Sequence, residues 1–446
     1  MSELVDLAAR VADQAGAGEQ IEAYVARGRS TTVRAYAGQV ESLTQATSAG
    51  VGIRVVVDRR QGFAYAGTLD EAAVLDALAE ARDNASFGEP EESIGLAEPD
   101  GVEVPELDLW PRELPSHPVE DKVRAALDLE RATRTADPRI SGVRVAMWSE
   151  GLGEAAVATS TGVRAWDRSG TCYLSVQALA QDGGETQTGF GLSVGREPSD
   201  LDVEEAAADA VLRATRLLGA TKPATGRVTL VLEPRMTATV LGIVGAMLNG
   251  ESVLKGRSPF ADRVGQQIAS PLLTFVDDPT DVRSLGAGAH DGEGLACRRT
   301  GLVDGGVLRG FLHNSYTARR AGVASTGSAV RGYSSTPSVG AQALAVAPGA
   351  GTHEELLATV DHGLFVTSMA GLHSGVNPVS GDFSVGVEGL MVRGGAPAEP
   401  IREATIASAI QRLLLDITAV GADLEWLPDG TGGVTLLVPD VSLGGR

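Results

Sequence analysis

The feature that most constrains this 446-residue chain is a change of patterning at Thr221-Lys222-Pro223-Ala224-Thr225-Gly226. Before it, the order helix, strands, helix occurs twice. Beyond it, the chain is rich in glycine and consists mostly of short segments with strand-like alternation. Two patterns of different period on either side of a Pro- and Gly-containing break call for separate hydrophobic cores. The expected fold class is α+β. Residues 1–220 would form an N-terminal α+β domain of antiparallel strands and helices, and residues 226–446 a predominantly antiparallel β domain with one long helix.

Within the first region, Leu4, Leu7, Ala8 and Val11 recur at helical spacing over Glu3 to Gln14, with Ser2 as the N-cap. Strand-like alternation follows over Ile21 to Arg27, Thr31 to Tyr36 and Gly50 to Val57; the segment Asp58 to Gly62 reads as a turn before Phe63 to Ala66. A helix is expected over Asp70 to Arg82. From Phe87 to Pro118 six prolines make an extended connector, a domain seam or interface strap. A helix over Val119 to Ala136, strands from Ile140 to Gly195 and a helix over Val203 to Leu218 repeat the first pattern, so residues 1–86 and 119–220 read as two similar subunits. In the second region the expected elements are strands at Arg227 to Leu232, Leu272 to Val276 and Gly433 to Val438, and a helix over Thr405 to Val420.

Composition excludes several functions. The net charge of −21 makes nucleic acid a poor partner. Cys172 and Cys297, far apart in sequence, allow neither a disulfide framework nor a Cys-x-x-Cys clip, which suits a reducing compartment. The N-terminus has no basic n-region and apolar h-region, and the longest apolar stretch, Thr237 to Leu248, falls short of the ~18–20 residues of a membrane span. A cytoplasmic protein without membrane contact is expected.

A series of short motifs is more specific. Val231-Leu232-Glu233-Pro234 leads into a helix, followed by Gly256-Arg257-Ser258-Pro259-Phe260 and Phe275-Val276-Asp277-Asp278-Pro279. Then come Asp291-Gly292-Glu293-Gly294, Asp304-Gly305-Gly306-Val307-Leu308, Ser315-Tyr316-Thr317-Ala318-Arg319 and Ser380-Gly381-Asp382-Phe383-Ser384. With Gly50-Val51-Gly52-Ile53-Arg54-Val55 near the start, this order and spacing resembles the TldD/PmbA family, once labelled modulators of DNA gyrase. Many relatives carry Gly-Asn after the first three residues of Thr405-Ile406-Ala407, where this chain has Ser408-Ala409.

The resemblance implies a subunit of a heterodimeric metalloprotease. One branch of the family carries His-Glu-x-x-x-His; the other, called TldE or PmbA, lacks it. Aligned back from Gly256, that motif falls on Leu241 to Ala246, where Leu241, Gly242 and Ala246 offer neither imidazole nor carboxylate. By resemblance this chain is therefore the metal-free branch, with no cofactor of its own. A zinc-bearing TldD-like partner is expected, with unfolded peptides or proteins as substrates threaded as extended strands between the subunits. The chain would complete the chamber and activate the partner. A stand-alone homodimer acting as a peptide-binding or regulatory protein is the alternative.

Other chemistries are less well supported. The six histidines, His117, His290, His313, His353, His362 and His373, have no zincin spacing. Ser252-Val253-Leu254-Lys255 satisfies Ser-x-x-Lys but lacks the companion motifs of that chemistry. Gly286-Ala287-Gly288 has no third glycine for a dinucleotide fingerprint. Asp277, Asp278, Asp291 and Glu293 either line a polar cleft or cap strand ends. The Gly- and Pro-rich loop from Gly371 to Pro378, with Asn377 and Ser380, Gly381, Asp382, Phe383 and Ser384 after it, is the candidate chamber-facing segment, since small residues admit another backbone.

Overall fold

The computed structural model describes residues 3–446; the expected N-cap at Ser2 lies outside them. The N-terminal elements are α1 (Glu3–Ala12), β1 (Glu19–Tyr36), β2 (Gln39–Val57), β3 (Arg60–Ala66), α2 (Glu71–Phe87), α3 (Val119–Thr135), β4 (Ile140–Thr159), β5 (Arg164–Asp182), β6 (Glu185–Gly195) and α4 (Val203–Thr215). The strands form one antiparallel sheet in the order β3-β2-β1-β4-β5-β6. Each half contributes a meander, and the halves join where β1 pairs with β4 from Glu22–Thr159 to Ala35–Ala146. The two runs expected at Ile21 and Thr31 are a single strand. Gly28 and Ser30 between them continue the ladder, opposite Gly153 and Gly151.

One face of this sheet carries the helices. Ile21, Ala23, Val25, Val51, Ile53 and Val55 pack under α1 and α2; Val33, Ala146, Trp148, Leu174 and Val176 pack under α3 and α4. The third strand of each meander touches its helix through a glycine. A Cβ on Gly62 would lie 2.0 Å from the Ala81 carbonyl oxygen, and one on Gly189 2.0 Å from that of Ala210. Only a residue without a side chain lets the alanine-faced helices approach this closely.

No helix or strand occurs between Phe87 and Leu114. This connector ties the sheet to the rest of the molecule: Arg319 donates to the carbonyls of Ser93 (2.8 Å), Gly95 (2.6 Å) and Leu96 (3.2 Å), and the Tyr316 hydroxyl to Glu91 at 2.8 Å.

The C-terminal region runs β7 (Gly226–Leu232), α5 (Pro234–Met247), α6 (Gly250–Leu254), β8 (Phe275–Asp277), β9 (Thr300–Asp304), β10 (Val307–Leu308), α7 (Ser315–Ala321), β11 (Ala329–Val330), β12 (Ser338–Val339), β13 (Leu344–Val346) and α8 (His353–Ala358). It continues with β14 (His362–Ala370), α9 (Leu372–Gly375), β15 (Asp382–Arg393), β16 (Ala396–Ala409), α10 (Ile410–Leu415), β17 (Ala419–Val420), β18 (Glu425–Trp426), β19 (Gly432–Gly433) and β20 (Leu436–Gly444). Strands β16-β15-β14-β7-β20 form a sheet that closes on itself, because β16 also pairs with β20 from Thr405–Gly444 to Ala407–Ser442. A second sheet, β10-β9-β8-β13-β19-β18, packs against α5 and shares its core with the barrel. Pairing is antiparallel except at β7–β14 and β13–β19.

The helix expected over Thr405 to Val420 is a correction. Thr405 to Ala409 complete β16, and the helix is only Ile410–Leu415. Ile406, Ile410, Leu413, Leu414 and Ile417 are all buried and spaced like a helix face, but Ile406 is held by ladder partners on both sides. The longest C-terminal helix is α5. The closing strand, expected from Gly433, begins at Leu436 and runs on to Gly444.

Candidate functional site

Helix α5 follows β7 directly, so its position is set by the barrel. Leu241 (2% exposed), Val244 and Met247 enter the core, whereas Gly242 and Ala246, one turn apart, face outward. A Cβ on Gly242 would meet open space. The turn on which the resemblance places the zinc motif thus has one residue sealed in hydrocarbon and two bare surface positions. These residues do not fit a zinc ion, because none carries a donor atom. Among the described residues, no group of three or more His, Cys, Asp or Glu is placed to hold a metal.

The loop after β14 lies on the barrel surface. The Asn377 side chain accepts from Val379 N (2.9 Å) and Ser380 N (3.3 Å), and the Ser380 hydroxyl donates to Asp382 at 2.6 Å. Gly381 sits at φ +85° against Gln411, and its carbonyl accepts from Ile410 N at 2.8 Å. Asp382 and Ser384 point outward from β15, while Phe383 is core. The six residues therefore divide: Asn377, Ser380, Asp382 and Ser384 are exposed, and Gly381 and Phe383 are structural.

A different place gathers more chemistry. The sheet face opposite the N-terminal helices packs on the C-terminal region and leaves a cleft of about 260 Å³ between them. Tyr24, Ala155, Ala165, Trp166 and Asp167 line it from the sheet, and His290, Asp291, Gly292 and Gln342 from the other side. It continues, past Tyr24 and Asp167, into a second space of about 310 Å³ floored by Gly28 and Gly153 and bordered by Arg168 and Tyr333. Tyr333 sits close on the sheet because Gly50 and Gly52 have no Cβ: one on Gly50 would come 2.5 Å from the Tyr333 ring, and one on Gly52 2.2 Å from its carbonyl oxygen.

His290 Nδ1 is 3.0 Å from Asp167 Oδ1, and the His290 amide donates to Oδ2 at 2.9 Å. The pair has the orientation of a base and its positioning carboxylate, but no nucleophile accompanies it. Cys297, nearby in sequence, is buried and engaged with Gln342, and burial pushes its thiol well above the usual range, away from thiolate.

Beneath the cleft lies a buried charge network. Arg54 (3% exposed) donates to Glu22 at 2.7 and 3.1 Å and reaches Glu293 at 3.4 Å. Glu293 accepts the Ser315 amide at 2.8 Å. Arg331 pairs with Glu22 and lies 4.9 Å over the Tyr24 ring. Burial works to raise the Glu22 pKa, but the two guanidiniums outweigh it and hold the carboxyl below its ordinary value. The network is neutral in total and joins β1 and β2 to the turns at Glu293 and Arg331.

Asp277 and Asp291 are turn anchors. Asp277 accepts from Gln342 N (3.0 Å) and Ala343 N (2.7 Å), and burial pushes it up to about 6. Asp291 accepts three amides, those of Glu293, Leu295 and Ala329, and burial together with the neighbouring Glu293 charge raises it. Lys255 is half-exposed and its ammonium is engaged by Glu251 one helical turn away rather than by Ser252.

Comparison with known proteins places this architecture. Three domain models of one family match in succession: PmbA/TldA metallopeptidase domain 1 at residues 21–85, the central domain at 112–218 and the C-terminal domain at 225–445. The chain is 27% identical over 454 residues to metalloprotease PmbA of Escherichia coli O157:H7, covering 100% of this chain and 96% of that one. It is 27% identical over 426 residues to a metalloprotease TldD homologue of Haemophilus influenzae, covering 89% and 86%. In structure it resembles a putative modulator of DNA gyrase from Thermotoga maritima (TM-score 0.90, 25% identity, 99% of each chain). TldE from Thermococcus kodakarensis has the same fold (TM-score 0.88, 23% identity, 96% and 97% covered). With matching domains along nearly its whole length, the chain belongs to the PmbA/TldD metallopeptidase family.

Proposed function

We propose that this chain is the non-catalytic subunit of a heterodimeric zinc metallopeptidase that degrades or trims unfolded peptides. The observation that supports this is the α5 turn aligned with the family's metal motif, where Leu241 is core and Gly242 and Ala246 are bare. Zinc and the general base then belong to a TldD-like partner. This chain contributes wall to the substrate chamber and holds the partner in its active form. The glycine floor at Gly28 and Gly153, flanked by Tyr24 and Tyr333, suits an extended backbone whose side chains are not selected. The exposed loop atoms of Asn377, Ser380, Asp382 and Ser384 are a second surface for that chamber.

The test is to purify this chain alone and together with the His-Glu-x-x-x-His relative from the same host. Peptide cleavage only in the mixture, with zinc following the other subunit by native mass spectrometry, is the expected result. Stoichiometric zinc on this chain, or chelator-sensitive cleavage by it alone, overturns the proposal. The alternative, a stand-alone homodimeric peptide-binding or regulatory protein, draws on the cleft being complete within one chain. It predicts that an unfolded peptide binds this chain without any partner, as isothermal titration calorimetry would measure.

A further inference from the structure

A separate cavity of about 270 Å³ lies where α4 and the β5–β6 hairpin meet β14, β15 and the start of α5. It shares no lining residue with the cleft at Tyr24 and His290. Arg216, from the end of α4, and Glu388, from β15, face it together with Gln177, Thr188 and Ser368. Arg216 is the unusual member. Its side chain is only 13% exposed, yet Nε and Nη2 are buried with no hydrogen-bond partner. Its ion-pair partner Glu233 is 3.8 Å away and already bonded to Arg213 at 2.6 Å. Phe365, 5.5 Å from the guanidinium, covers it without offering an acceptor. Burial accordingly pulls the Arg216 pKa below its ordinary value, and Glu233 offsets only part of that. Buried donors without partners mark a place where an acceptor is wanting.

The surrounding charges select the kind of acceptor. Arg213 and Arg235 share Asp209 at 2.8 and 2.9 Å; Arg213 also bonds Glu233, and Arg235 bonds Glu425 at 3.1 Å. With Arg216 included, three arginines balance three carboxylates. Glu388 is then an extra negative charge on the cavity wall, with no ion pair or side-chain hydrogen bond among the described residues. A plain anion at Arg216 would add a second uncompensated negative charge. A zwitterion adds none, because its carboxylate answers Arg216 and its ammonium answers Glu388. We infer that this cavity binds a small zwitterion, a free α-amino acid or a dipeptide, held by its two charged ends. The volume is below the ~300–1,000 Å³ of drug-sized pockets, which suits so short a molecule. Charge-assisted bonds at both ends orient the ligand without selecting its side chain. Gln177, Thr188 and Ser368, whose side chains have no other hydrogen bond among the described residues, remain for its amide or amine. The inference does not rest on the non-catalytic-subunit assignment, which concerns the turn from Leu241 to Ala246 and the cleft.

Isothermal titration calorimetry on the full chain tests it, with L-leucine and L-alanyl-L-alanine as the zwitterions. Binding of leucine alone assigns the site to free amino acids, and binding of the dipeptide alone assigns it to dipeptides. For whichever binds, acetylating the amine or amidating the carboxyl should each weaken binding by roughly tenfold or more, as expected for one lost charge-assisted pair. Arg216→Gln and Glu388→Gln should weaken the zwitterion by a similar factor, with circular dichroism unchanged. The losses should not add: Arg216→Gln should leave the amidated form as it was, and Glu388→Gln the acetylated form. Should Arg216→Gln fail to fold, Glu388→Gln and the blocked ligands carry the same decision. No binding of either zwitterion at millimolar concentration overturns the inference. So does a blocked form or inorganic phosphate that binds as tightly as the zwitterion, or an affinity that Glu388→Gln leaves unchanged.

Discussion

At Asp277, burial and two backbone amides act in opposite directions, and burial prevails. The carboxyl is pushed to about 6 in the folded chain, against an ordinary value of 3.8. The folded state therefore binds the proton more tightly than the unfolded state does. The protonated form stabilises the fold below pH ~4, and that contribution is lost as pH rises through ~6. Asp277→Asn keeps the acceptor for Gln342 and Ala343 and cannot ionise. Its gain over wild type should grow by about 1.5 kcal/mol between pH 5 and pH 8, measured by urea denaturation at both values. A pH-independent difference would mean that Asp277 is not perturbed. Glu22 is the opposite case. Glu22→Gln leaves Arg54 and Arg331 short of a charge in a sealed site and should cost about 3–5 kcal/mol by the same measurement.

The residues of this network were legible only in part. Glu22 and Arg54 each stand as a charge between apolar neighbours (Ile21-Glu22-Ala23 and Ile53-Arg54-Val55) on the face opposite the helices. That was the available signal. Glu293 and Arg331 come from turns, where charge is ordinary, and nothing local marks their burial. The His290–Asp167 contact joins residues more than a hundred positions apart and has no trace in spacing. The α5 turn, by contrast, was placed through family resemblance, and its burial pattern follows from helical period alone.

At the scale of elements, regular period was the readable quantity. Helices α1, α3 and α4 fall near their expected limits because each has an apolar stripe and a flanking turn, whereas α2 runs on to Phe87, five residues past the expected Arg82, with Ala85 still on its buried face. The β16–α10 boundary was not readable, since Ile406 serves strand and helix periods equally and only its partners in β15 and β20 decide between them. Many C-terminal strands are two or three residues long, too short for any alternation to register. Two substitutions test how the helices are seated. Gly242→Ala, in a helical interior facing open space, should stabilise by about 0.5–1 kcal/mol. Gly62→Ala drives a Cβ into the Ala81 carbonyl and should destabilise by about 1–3 kcal/mol. Thermal melts that reversed these signs would show that α5 is not exposed at Gly242, or that α2 is not seated on β3.

For the whole molecule, sheet and barrel region are fastened at several places, among them the buried Glu22–Arg54–Glu293–Arg331 network and the connector held by Arg319. The two fastenings differ in character. The first is sealed from water; the second consists of three exposed or part-buried bonds to carbonyls. Arg319→Ala should leave the melting temperature little changed but admit protease to residues 88–113 several-fold faster, because local opening governs cleavage there. Equal cleavage rates for variant and wild type would show that the strap is held by other contacts.

The closed barrel has a consequence for how the protein is made. Its first strand, β7, leaves the ribosome some 200 residues before β20, the strand that must lie against both β7 and β16. Until then β7 and β16 each keep an open edge, and a long-range closure of this kind is slow and exposed to aggregation. The N-terminal sheet is not under that constraint: its six strands are complete by Gly195. Arg54 and Glu22 wait within it, already bonded to each other, for Glu293 and Arg331 to arrive. Synthesis thus yields a finished half first, carrying a neutral charge pair in place of a bare one, and the later half must be sheltered until its last strand closes the ring.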